Sequence, residues 1–198
     1  MTADQFDNRW NDRYPETTWL PHLFIRIYPD RWCRIHSLPN SKRYAYTEAE
    51  WTTLLDRQHT LLTDLLGLDN EVLIVSGEYQ FEGVDMPDYH AASGALSTLL
   101  FTPTKQCVDL HQVEPSSYEP GTFYHSRFSE QTWQRHKFDE LLREIAEDQT
   151  QAFFISWDNA CIVAPYDGGV DILLKDNTTR DYYRKKYRAW LSERPDGL

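Results

Sequence analysis

The sequence predicts an α+β fold: a single domain over residues 1–198, built as an antiparallel-rich sheet with about three helices packed on it. Three observations carry that expectation. Short runs rich in β-branched and aromatic residues alternate with tight-turn signals. One long run has helical apolar spacing behind a capping box. No repeat, low-complexity tract or linker divides the chain. A chain of this length buries roughly two-thirds of its unfolded surface, enough to fold without a disulfide or a metal.

The elements follow in order. Leu23–Tyr28 and Trp32–Leu38 read as two strands of a hairpin around Pro29-Asp30-Arg31. Thr47-Glu48-Ala49-Glu50 is a capping box, with Trp51, Leu54, Leu55, Leu61, Leu62, Leu65 and Leu66 at helical spacing behind it and Gly67 as the stop. Glu71–Ser76 reads as a strand closed by Gly77. Leu96–Thr102 and Cys107–Val113 read as strands joined near Pro103, and Thr122–Phe128 as another. Ser129 is expected to cap a helix running to about Asp148. Ala152–Trp157 and Ala160–Ala164 flank the turn Asp158-Asn159, and Val170–Leu174 follows the turn Pro165–Gly169. Thr178 opens a final helix through Tyr187 and Leu191.

Charge narrows the function. Twenty Lys and Arg against 31 Asp and Glu give −11, which disfavours nucleic acid and anionic membranes as partners. The charge is uneven. No Lys or Arg lies between Arg57 and Lys105, where seven acids fall (Asp64, Asp69, Glu71, Glu78, Glu82, Asp85, Asp88). From Arg180 to Arg194, six basic residues against two acids give +4. Cys33, Cys107 and Cys161 are odd in number and sit in apolar runs, which reads as buried, reduced thiols. With no apolar leader at Met1–Gln5 and no span of about 18 apolar residues, a cytoplasmic protein without a membrane partner is expected.

The strongest candidate site lies on the first hairpin. A three-residue turn places Tyr28 opposite Trp32, Arg26 opposite Arg34 and Phe24 opposite His36, with Cys33 and Ile35 on the other, apolar side. Two opposed arginines repel and require a carboxylate or an anion between them. Lys42 and Arg43 follow at once, so Arg26, Arg34, His36, Lys42 and Arg43 form a candidate anion- or partner-binding cluster. Gly168 and Gly169 permit a close approach of another segment, and Asp167 and Asp171 beside them are candidate counter-ions for these arginines.

The runs Arg34-Ile35-His36-Ser37-Leu38-Pro39-Asn40-Ser41-Lys42-Arg43-Tyr44 and Pro165-Tyr166-Asp167-Gly168-Gly169-Val170-Asp171, with Tyr187–Ser192, resemble the signature of a bacterial family described only as a domain of unknown function. The resemblance covers roughly residues 23–75 and 152–198. It implies a bacterial origin and one domain, and it implies no activity.

Other chemistry finds little purchase. The seven histidines show neither HExxH nor Cys-x-x-Cys companions, so no metal ligand is assigned; Asp85, Asp88 and His90, or Asp109 with His111 on one strand face, are the nearest to a set. No Gly-rich phosphate loop or nucleophile elbow is present, and no cofactor is expected. Ser37 beside His36 points to the opposite strand face, a poor nucleophile–base pair, and no catalytic residue is assigned. The expectation is a non-enzymatic interaction module, in its most concrete form an immunity-type protein that binds a basic partner. The alternative is a small-anion, phosphate-ligand or hydrolytic domain using the cationic cluster.

Overall fold

Every pairing in the sheet is antiparallel, and its seven strands run in the order β1-β7-β6-β5-β2-β4-β3. The computed structural model describes residues 1–84 and 94–193, so Asp85, Asp88, His90 and Arg194 lie outside the described residues. The strands are β1 (Trp32–His36), β2 (Glu71–Phe81), β3 (Thr102–Asp109), β4 (Thr122–Thr132), β5 (Ala152–Ser156), β6 (Cys161–Tyr166) and β7 (Gly169–Leu173). The helices are α1 (Ala3–Arg13), α2 (Phe24–Ile27), α3 (Glu48–Leu66), α4 (Leu110–Val113), α5 (Asp139–Ala146) and α6 (Asn177–Lys186). The α+β class is as expected, with one more long helix among the described residues.

Each face of the sheet has its own core. On the first face, Cys33, Ile35, Val72, Ile74, Phe154, Val163 and Ile172 pack against Leu54, Leu61, Leu62 and Leu65 of α3 and Leu141, Leu142 and Ile145 of α5. On the second face, Trp32, Leu73, Val75, Phe153, Ile155, Ile162 and Leu173 pack under Phe6 and Trp10 of α1 and Phe24 of α2. Helix α1 was not foreseen. Its capping box joins Thr2 to Gln5, and Phe6, Trp10 and the adjacent Tyr14 recur every four residues, a helical stripe that seats Phe6 on Phe128 with ring centroids 4.6 Å apart.

The expected first hairpin does not form. Its second strand is present as β1, with Trp32 and Arg34 on one face and Cys33 and Ile35 on the other, but Leu23–Tyr28 is a 3-10 turn running into α2. Pro21 starts that turn, and Leu20, Leu23, Phe24 and Ile27 then follow helical spacing, which buries Leu23 and Phe24 against the α1 aromatics. Strand β1 pairs instead with β7, far along the chain, in the register Arg34 opposite Asp171 and His36 opposite Gly169.

Three further differences arise in the middle. Strand β2 continues past Gly77 to Phe81, because the missing side chain there admits the Tyr124 ring: a Cβ would stand 2.6 Å from it. Strand β4 continues through Ser129 to Thr132, so Ser129 caps no helix, and α5 begins only at Asp139. Residues Gly94–Thr98 and Leu110–Val113 are short helical turns rather than strand. Asp109 therefore caps α4 by accepting from Gln112 N, and His111 Nδ1 meets the Tyr118 carbonyl oxygen at 2.7 Å, so the two share no strand face. The β5–β6 and β6–β7 hairpins and α3 stand as expected. The N-cap of α6 is Asp176 rather than Thr178.

Candidate functional site: a guanidinium-lined cleft on the second sheet face

Helices α1 and α2 cover only part of the second face. Beyond them lies a cleft of about 300 Å³, at the lower end of the usual range for small-ligand sites. The pairing puts its floor together: Arg34 stands opposite Asp171, Asp171 opposite Ala164, Phe153 opposite Val75, and Tyr79 opposite Tyr124. Ala164 in the middle of this surface is small, and the larger side chains of neighbouring strands rise around it. Tyr79, Tyr124, Tyr166 and Phe153 form an aromatic wall.

Two arginines line the cleft, each held by a carboxylate. Arg34 makes a bidentate pair with Asp171, Nε to Oδ1 at 2.7 Å and Nη2 to Oδ2 at 2.9 Å. Its guanidinium also lies over the Tyr166 ring at 4.7 Å and the Trp32 ring at 5.5 Å. Burial works against the Arg34 charge, but the hydrogen bonds and charge of Asp171 outweigh it, so the guanidinium is held protonated even more firmly than usual. Asp167, buried in the β6–β7 turn, accepts from Arg43 Nε and from Tyr44 Oη, the latter at 2.8 Å. The turn fits so closely that a Cβ on Gly169 would stand 2.4 Å from the Ile35 carbonyl oxygen. Burial pushes the Tyr166 and Tyr124 hydroxyls well up, so both stay protonated donors.

The donor inventory sets what the cleft accepts. Asp171 and Asp167 are occupied by the arginines that face them. Among the described residues, Arg34 Nη1 and both Nη groups of Arg43 meet no acceptor. The cleft lining therefore combines spare N–H and O–H donors with flat aromatic surface.

Of the cluster expected from sequence, Arg34 and Arg43 line this cleft, together with both expected counter-ions, Asp167 and Asp171. The other three do not. Arg26 sits on α2 rather than opposite Arg34, and it pairs with Glu114, which also holds His22. Lys42 pairs with Glu50 in the first turn of α3. His36 is buried with its ring nitrogens beside the Gly168 backbone but outside hydrogen-bond geometry; burial, with the Arg34 charge adding to it, lowers its basicity. The tyrosine wall was missed. Tyr166 stood inside a quoted motif, but Tyr79 and Tyr124 face each other only once β2 runs through Gly77.

No helix among the described residues is long and apolar enough to cross a membrane. No curated protein matches the chain. No solved structure matches it either. A family model does match, over residues 20–195, a span that takes in α2, the whole sheet and the cleft. The chain belongs to the family described as a domain of unknown function (DUF3885).

Proposed function

We propose that this protein acts by binding rather than by catalysis, and that its ligand carries a carboxylate on a flat or apolar body held in the cleft. The observation that carries this reading is the pair of arginines fixed from one side by Asp171 and Asp167, with donors to spare. Fixing a guanidinium before the ligand arrives lowers the ordering cost of binding. Charge selects among anions: Asp148, Asp167 and Asp171 outnumber Arg34 and Arg43 in the lining by one, which opposes a phosphate dianion more than a single carboxylate, so it is the spare guanidinium N–H groups and not net charge that hold the carboxylate. The aromatic wall favours a ring beside that carboxylate. Cys33 and Cys161 lend no support to thiol catalysis, because burial pushes both thiols up to about 12, whereas Cys107 on β3 is exposed rather than buried as its apolar run suggested.

Thermal denaturation with benzoate, acetate and inorganic phosphate tests the reading. Benzoate is expected to raise the midpoint most, acetate less and phosphate least, and Arg43→Ala to remove the benzoate effect. Arg43 is 64% exposed but its partner Asp167 is 4% exposed, so each benzoate shift is read against the ligand-free midpoint of the same variant, and Asp167 keeps the Tyr44 hydroxyl as a donor. Equal shifts for all three anions, or a benzoate shift that survives Arg43→Ala, would overturn the proposal.

A second reading, an immunity-type acidic docking face for a basic protein, rests on the net charge of −11. Its support is thinner on this fold. Asp64 accepts from Lys186 and Tyr187, and Glu78 pairs with Arg127, so the basic-free stretch is partly neutralised from within. Asp69, Glu71 and Glu82 are its exposed remainder among the described residues.

A further inference from the structure

On the first sheet face, α3 and the entrance to α5 bring His59 together with two side chains, three residues apart, that lie far along the chain from it. His59 of α3, His136 in the turn before α5 and Asp139 at the start of α5 each offer a ligand atom, and these atoms lie within 4.8 Å of one another. Asp139 is central: its Oδ1 stands 2.7 Å from His59 Nε2 and its Oδ2 stands 3.1 Å from His136 Nδ1. The two imidazole rings approach to 4.4 Å between centroids.

The second observation is the state of His59. Its side chain is 0% exposed, yet neither ring nitrogen has a hydrogen-bond partner among the described residues, and Asp139 Oδ1 is likewise unsatisfied. Nε2 and Oδ1 are close but do not align as donor and acceptor. A buried imidazole whose one polar neighbour is a misaligned carboxylate costs free energy that the fold must recover elsewhere, and an ion held off the line between the two atoms, with Asp139 drawn back from its 2.7 Å approach, removes the cost.

We propose that His59, His136 and Asp139 form a binding site for a divalent transition ion of the zinc type. Two imidazole nitrogens and a carboxylate are a borderline donor set that suits Zn²⁺ over Ca²⁺ or Mg²⁺. Tetrahedral coordination at about 2.0–2.2 Å to each ligand separates donor atoms by about 3.3 Å. Asp139 stands slightly inside that distance from both rings, through Oδ1 to His59 and Oδ2 to His136, and the His136 side chain, 66% exposed, can adjust to open the site and gives the ion its route in. Solvent would fill the fourth position on that open side. The Trp133 ring lies tilted beside His59 with 6.2 Å between centroids, which places an indole reporter beside the ion.

The test uses the full chain, stripped with a chelator and titrated with Zn²⁺ by calorimetry, and with Co²⁺ by absorption and tryptophan fluorescence. We expect one equivalent of Zn²⁺, a raised thermal midpoint, visible Co²⁺ bands of a four-coordinate nitrogen–oxygen site, and partial quenching of the indole emission. His136→Ala and Asp139→Asn, both at solvent-reached positions, are expected to weaken Zn²⁺ at least tenfold while the chain stays folded. Absence of saturable binding would overturn the proposal and leave the three residues as a carboxylate shared between two imidazoles. Unchanged affinity in both variants would also overturn it and place the ion elsewhere, with Cys107 and His125, which face each other across β3 and β4, the next donors to examine.

Discussion

Arg34 shows how a single residue joins stability to the site. Its pair with Asp171 is bidentate, and the carboxylate is only 9% exposed, so removing the arginine leaves a buried charge without compensation. Breaking such a pair costs about 3–5 kcal/mol when one partner is deleted, and the upper half of that range applies only to deeper burial than this. We expect Arg34→Ala to lower stability by about 3 kcal/mol in urea denaturation, and the double variant with Asp171→Ala to be less damaged than the two single losses summed. Arg26→Ala removes a 61%-exposed guanidinium from Glu114, which keeps His22 as a partner, and is expected to cost under about 1 kcal/mol. Equal losses for the two arginines would contradict the assignment. His36 adds a pH dependence. Burial lowers its folded pKa below the ordinary 6.5, so below that pH the unfolded chain takes up the proton first and stability falls as the solution is acidified. Above pH 6.5 the ring is neutral in both states and contributes no slope. Between roughly pH 6.5 and 5, His36→Gln is therefore expected to flatten the stability profile relative to the parent chain, and parallel profiles would refute the attribution.

Element by element, the local signals that carried through are those with a complete short-range cause. The capping box at Thr47 and the leucine stripe behind it specify α3, and the Asp167-Gly168 turn specifies the β6–β7 hairpin. Pairing partners across long sequence distances were not legible. Nothing within Leu23–Leu38 announces that β1 belongs beside β7, and an apolar run of six residues reads as strand or as helical turn with equal ease. The counter-ions were legible as chemistry, since opposed or clustered arginines need carboxylates, but the opposition came from a hairpin that does not exist. Gly77 shows the same limit in reverse: a glycine that reads as a strand stop is a place for the Tyr124 ring. Gly77→Ala would bring a Cβ to 2.6 Å from both that ring and the His125 carbonyl oxygen. We expect a loss of about 1–3 kcal/mol and a displaced Tyr124, read from denaturation and near-ultraviolet circular dichroism. A neutral substitution would show that β2 and β4 have more slack than their packing indicates.

For the molecule as a whole, the uneven charge is in part an internal arrangement. Lys186 and Tyr187 at the end of α6 reach Asp64 on α3, so part of the basic C-terminal segment answers part of the acidic middle. The two sheet faces are then divided between tasks. One carries the aliphatic core and the His59–His136–Asp139 set, and the other carries the aromatic layer of α1 and α2 and, beyond it, the arginine cleft. The central claim is that Arg34 and Arg43, braced by Asp171 and Asp167, hold a carboxylate in that cleft. The most direct measurement follows the arginine side-chain Nε–H signals by nuclear magnetic resonance during a benzoate titration. The account expects saturable shifts at Arg34 and Arg43 with one common dissociation constant, and none at Arg26. Shifts spread evenly over all arginines, or no saturation at Arg34 and Arg43, would contradict it.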